Sequence, residues 1–148
     1  MKRLRKFLSL SSSDRNLLIQ TAVLLSGIRL GLRFLSFPTL RRILDKISKT
    51  ALNSTQTYEF TLNRVVWAVD IVSKYMPGGV KCLARALATQ VLLARRGYLV
   101  ELQIGVAKNE AGQLEAHAWI ESQDKVVIGN LKDLGRFTRL ATLEGQRP

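Results

Sequence analysis

The spacing of apolar residues changes period at Gly97, and that change fixes the order of structure along the chain. Before it, apolar side chains recur every three or four residues, the repeat of an amphipathic helix. After it they recur every second residue, the repeat of a half-buried strand, with Val100, Leu102, Ile104 and Val106 on one face. Strands joined by tight turns pair antiparallel, because parallel strands need a crossover of about a dozen residues or more. Helices followed by such strands make an α+β domain. At 148 residues the chain has the length of one domain with a sizeable core.

The helical half punctuates itself. Ser11 to Asp14 has the spacing of a capping box, with a carboxylate replacing the usual Glu, and predicts a helix from about Ser12 to Phe34. That segment is apolar over most of its surface, so it packs on several sides. Phe37-Pro38-Thr39 opens a second helix, with Pro38 in its first turn and Leu40, Ile43, Leu44 and Ile47 as its stripe. A polar break at 53–57 precedes a third helix, about 58 to 76, which stops at Pro77-Gly78-Gly79. A fourth runs through KCLARALATQVLLARRG to Gly97, where a left-handed cap belongs. Strands are expected over Tyr98 to Val106, Leu114 to Glu121 and Val126 to Leu131; the tail from Lys132 has no period.

The formal net charge is +12, and it is uneven. Residues 1–50 hold 11 basic and two acidic residues, a balance of +9, which leaves +3 for the rest. Such a face suits an anionic partner or simply solvates the chain. The apolar run from Leu17 to Ile28 falls short of the roughly 20 residues that span a bilayer, and no small-x-small cleavage site follows it. A cytoplasmic location is therefore expected, with membrane association through the basic helices as its variant.

One cysteine excludes an intramolecular disulfide, and one Cys with one His cannot build a Cys/His-rich metal cluster. They can supply a nucleophile and a base. Cys82 stands three residues after Gly79, at a helix start, where free N–H groups and positive potential favour a thiolate and can receive an oxyanion. His117 lies on the face of EAHAWIE that also carries Glu115, Trp119 and Glu121. A two-residue hairpin loop at Gln123-Asp124, counted outward, sets Glu121 opposite Val126, Trp119 opposite Ile128 and His117 opposite Asn130. An Asn130 amide oxygen there would orient the imidazole, as the third member of a Cys-His-Asn set does. A small buried cysteine and a satisfied structural histidine are the plainer alternatives. No glycine-rich phosphate loop is present, so nucleotide binding is not indicated, and no cofactor is expected.

The segment P-G-G-V-K-C-L-A-R-A-L-A…L-L-A-R-R-G…L-Q-I-G-V…A-H-A-W-I-E resembles the stand-alone leader peptidase of lasso-peptide biosynthesis, a transglutaminase-like cysteine peptidase. The helical opening is similar too. The resemblance implies a transglutaminase-like, papain-like fold: N-terminal helices, then a small antiparallel sheet packed on the Cys-bearing helix. It divides the chain into a basic helical region, 1–76, and a catalytic core, 77–148, within one compact domain. It makes Cys82 the nucleophile and His117 the base that later serves as acid. The family carries an aspartate near the end of the strand after the histidine, where this chain reads V-V-I-G-N-L-K-D. Spacing aligns Gly129 with that aspartate; Asn130 is the preferred third member, Asp133 the alternative, and Asp124 a turn residue.

The implied reaction removes the leader from a ribosomally made precursor peptide before a separate ATP-dependent cyclase closes the macrolactam. The implied partners are that precursor, a separate leader-recognition protein, the cyclase and, through the basic N-terminal helices, a membrane surface; no nucleic acid is expected. Two alternatives stay open. One is acyl transfer from Cys82 to an amine rather than to water. The other is a non-enzymatic basic adaptor that binds membrane or nucleic acid.

Overall fold

The computed structural model describes residues 5–6, 8–48, 57–98, 100–122, 125–129 and 136–139. Four long helices come first: α1 (Ser12–Phe34), α2 (Phe37–Ser48), α3 (Tyr58–Tyr75) and α4 (Cys82–Ala94). Strands β1 (Glu101–Lys108), β2 (Leu114–Ser122), β3 (Lys125–Ile128) and β4 (Thr138–Arg139) follow, in the sheet order β3-β2-β1-β4. All the pairings are antiparallel, so the chain is α+β as its period change requires.

Local chemistry sets the boundaries. The Ser11 hydroxyl accepts from the Asp14 N–H at 3.2 Å and caps α1; Thr57 caps α3 in the same way through Phe60 N–H. After α4, Gly97 takes φ +86°, and the Tyr98 N–H returns to the Leu93 carbonyl at 2.9 Å. That closes the orphan carbonyls of the last turn through a left-handed residue that glycine adopts without strain.

Helix α4 is the axis of the molecule. It contacts α1, α2 and α3 on one side and β1, β2 and β3 on the other. Burial follows: Ala84, Ala86, Leu87, Ala88, Val91, Leu92 and Leu93 are all closed to solvent. Its alanines let neighbours approach closely, while Leu87 and Leu92 fill the gaps. From the sheet, Leu102, Ala118, Ile120 and Ile128 complete this core.

The helix α1, with 23 residues and a mean hydropathy of 1.4 over its most apolar stretch, is long and apolar enough by length and composition to cross a membrane. The shorter run Leu17–Ile28 understates it, because the helix continues through Leu30 and Leu32. It also packs against α3 and α4, with Leu25 and Ile28 fully buried.

The strands depart from the expected register at one place. Ser122 faces Lys125 and Glu121 faces Val126, as outward counting from a two-residue loop gives. A bulge between Ile120 and Glu121 then slips β3 by one residue, so Ile128 lies opposite Ile120 rather than Trp119. The count that set Asn130 against His117 fails at this bulge. The loop residue Asp124 and both candidate third members, Asn130 and Asp133, lie outside the described residues. The tail that showed no period contributes β4, paired through Gly105↔Arg139 and Val106↔Thr138.

Candidate active site

Cys82 is the first residue of α4, with Lys81 as its N-cap in extended conformation. The chain reaches it through Gly78 and Gly79, whose φ values of +79° and +74° are open to glycine at no steric cost. Among the described residues no side chain caps this helix start. The first intrahelical bond joins Arg85 N–H to the Lys81 carbonyl, so the N–H groups before it are left for other acceptors. They are donors for an anion formed beside the sulfur.

His117 sits mid-strand in β2, opposite Gly105 of β1. Three neighbours fix its ring. Trp119 stacks on it with centroids 5.9 Å apart and planes at 18°. Phe137 lies across it at 5.7 Å. The Gly129 carbonyl oxygen lies 2.5 Å from Nε2. A carbonyl only accepts, so Nε2 carries the proton, and in the neutral ring Nδ1 holds the free lone pair. Gly129 directly follows β3. Gly129 has φ +87°, and a Cβ there would sit 2.8 Å from the Ala118 carbonyl oxygen. A backbone carbonyl thus does at Nε2 what the sequence assigns to a side chain.

Trp119 is buried, and its indole N–H donates to Glu121 Oε1 at 2.8 Å. It packs on the face of His117, apart from the Ala118–Ile120 face that meets α4. Gly105 makes room for it: a Cβ there would lie 2.9 Å from both the indole ring and Phe137 Cβ.

Cys82 and His117 line one cleft of about 330 Å³ with Gly129, Val127, Asp70 and Arg85 among its walls. Among the described residues the thiol makes no hydrogen bond, and it is partly exposed. Catalytic contacts are often long without substrate and tighten when it binds. Asp70 of α3 and Arg85 of α4 pair across the cleft wall, and among the described residues the buried Arg85 Nε has no partner. Arg85 lies one turn beyond Cys82, so the spacing puts both on one face of α4. The sequence gives no signal for Asp70 or for Phe137. Among the described residues no cluster of His, Cys, Asp and Glu could hold a metal ion.

The arrangement brings a thiol and an imidazole held in one tautomer to one cleft, at a helix start with free N–H groups, a set of groups that can serve acyl chemistry. The family model described as the transglutaminase-like superfamily matches residues 22–142, from within α1 to beyond β4. No curated protein and no solved structure matches the chain.

Proposed function

We propose, from the premise that the chain belongs to the transglutaminase-like superfamily, that it is a cysteine peptidase with Cys82 as nucleophile and His117 as general base and acid. The observation that carries this is the opening of Cys82, at a helix N-terminus, and His117, with Nε2 held by a carbonyl, into the same cleft. Nδ1 takes the thiol proton and the sulfur attacks a peptide carbonyl carbon. The resulting oxyanion is met by the free N–H groups of the first turn of α4. Collapse breaks the C–N bond; the imidazolium returns its proton to the departing amine, leaving a thioester on Cys82. Water, deprotonated by His117, then releases a carboxylate and restores the thiol.

The substrate we propose is a lasso precursor peptide, cut between leader and core before macrolactam closure. Support comes from the C-L-A-R-A-L and A-H-A-W blocks and their separation. On this proposal a separate leader-recognition protein delivers the precursor, the cyclase takes the product, and the basic helices before residue 77 offer a docking or membrane-facing surface. Asn130 and Asp133 remain the proposed third members; either would act on a ring already oriented by Gly129.

The test incubates precursor and leader-recognition protein with wild type and with Cys82→Ala. Mass spectrometry should show leader and core in the wild-type reaction, and a rate roughly 10⁴-fold lower or less for the variant. Release of leader by Cys82→Ala at the wild-type rate would sink the mechanism. The superfamily also supports acyltransfer, in which an amine replaces water at the thioester. The same spectra separate the two, since transfer adds the mass of the amine and hydrolysis adds that of water.

A further inference from the structure

Helix α4 begins between two hollows. One is the cleft of Cys82; the other, of about 600 Å³, lies between α1 and the Gly78-Gly79 turn, with Lys81 in its wall. Arg29, Arg33 and Lys81 all line this second hollow, and no acidic residue does. Among the described residues none of the three side chains has a hydrogen bond or an ion pair. Arg29 and Arg33 are four apart, hence neighbours on one side of α1, an arrangement that repels unless an anion lies between them.

The turn is shaped around this charge. A Cβ on Gly78 would lie 3.3 Å from Arg29 Nη2, so the bare backbone lets the guanidinium lie against the turn. A Cβ on Gly79 would meet nothing within 4 Å, so the hollow is open there. Gly78 precedes Cys82 by four residues, a span of at most about 14 Å in extended chain. A peptide with its scissile carbonyl at Cys82 therefore reaches these cations with side chains within about four residues of the cut.

We propose that this hollow is a substrate subsite for carboxylate side chains, selecting peptides with an acidic residue within about four positions of the cleaved bond. Arg29 and Arg33 offer planar forks that match a carboxylate, and Lys81 adds a point charge one residue from the nucleophile. The proposal takes its substrate from the peptidase reading, so the primary readout is binding rather than turnover.

The probe is a fluorescein-labelled decapeptide with Glu at alternate positions, and its twin carries Gln instead. Fluorescence anisotropy with the full chain should show the Glu peptide binding at least about tenfold tighter, with the difference shrinking as salt rises. Arg29→Gln with Arg33→Gln should weaken the Glu peptide about tenfold and leave the Gln twin unchanged, while Arg29→Lys with Arg33→Lys restores part of the preference. Arg15→Gln with Arg42→Gln removes equal charge elsewhere and should change neither. Equal binding of both peptides overturns the proposal, as does equal weakening by the two Gln pairs, which marks diffuse attraction. Occupation by millimolar inorganic phosphate without any peptide preference overturns it too, in favour of a free phosphate. Repeating the titration with Cys82 carbamidomethylated separates the two ideas. Preference without cleavage by the unmodified enzyme keeps the subsite and fails the peptidase. Cleavage of both peptides alike does the reverse.

Discussion

The two ends of α4 open onto opposite kinds of surface. At its start lies the small, polar-rimmed cleft of Cys82, His117, Asp70 and Arg85. At its end, Leu92 and Arg95 lie beneath a groove of about 680 Å³ between α1 and α2, lined almost wholly by apolar side chains. The groove is the larger hollow, yet it holds neither the cysteine nor the histidine. Size alone is thus a poor guide to chemistry in this fold. What distinguishes the cleft is that backbone geometry converges on it: a helix start, a left-handed glycine and a strand bulge. What distinguishes the groove is apolar area left open by two helices that meet only along part of their length. Changes at the first end should act on rate, and changes at the second on stability or on nothing.

The hardest blow to the cleft is His117→Ala. Its ring is half-buried and carries one hydrogen bond to a backbone carbonyl, so the fold loses little. Turnover of the precursor should fall at least about a thousandfold, some 4 kcal/mol in barrier, with the melting temperature nearly unchanged. A fall in melting temperature large enough to account for the lost activity would make His117 a structural residue and erase the contrast.

At the groove end the matching change is Leu40→Ala. Leu40 is buried on the groove floor, and its Cδ1 occupies the space that a side chain on Gly31 would need, 2.6 Å from that Cβ position. Its removal opens a cavity that α1 and α2 cannot fully close, at a cost of about 2–5 kcal/mol. Chemical denaturation measures this directly. Turnover per folded molecule should stay at the wild-type value, and a change there would mean that the two ends of α4 communicate.

Gly129→Ala tests where backbone and catalysis meet. Alanine disfavours φ +87°, and its Cβ would press on the Ala118 carbonyl and on Trp119. Strain of about 1–3 kcal/mol should appear in denaturation. The carbonyl that holds Nε2 should move, lowering turnover about tenfold. If turnover is intact in a destabilised protein, the carbonyl bond is incidental to positioning His117.

The helices and three of the strands were legible because each is dictated locally. Ser11 caps, Pro77-Gly78-Gly79 stops, Gly97 takes a left-handed turn, and period two begins beyond it. The positions of Cys82 and His117 were legible for the same reason, since a helix start and a strand face follow from neighbouring residues. The groups that hold His117 were not. The bulge at Ile120/Glu121 is a one-residue slip that leaves no mark in the apolar pattern, and it undoes the count that set Asn130 opposite His117. Phe137 arrives through β4, two residues long and paired with β1 across some thirty positions of chain. Asp70 meets Arg85 because α3 and α4 pack side by side, a tertiary fact with no local signature.

The smallest expected effect sharpens the comparison most. Val23 stands in the middle of α1 with 68% of its surface exposed, on the rim of the apolar groove. Its side chain faces open space, so Val23→Gln forfeits little packing and trades a β-branched residue for a better helix former. Stability should stay within about 0.5 kcal/mol, and turnover should not change. The solution behaviour is what should move. Val23 shares the groove wall with the exposed Ile19, Leu30 and Phe34, and contiguous apolar surface of this kind drives association of otherwise folded proteins. Light scattering of concentrated samples should show less self-association for Val23→Gln than for wild type. A variant that instead loses several kcal/mol would mean that Val23 is covered in solution, and that the groove end of α4 is closed rather than open.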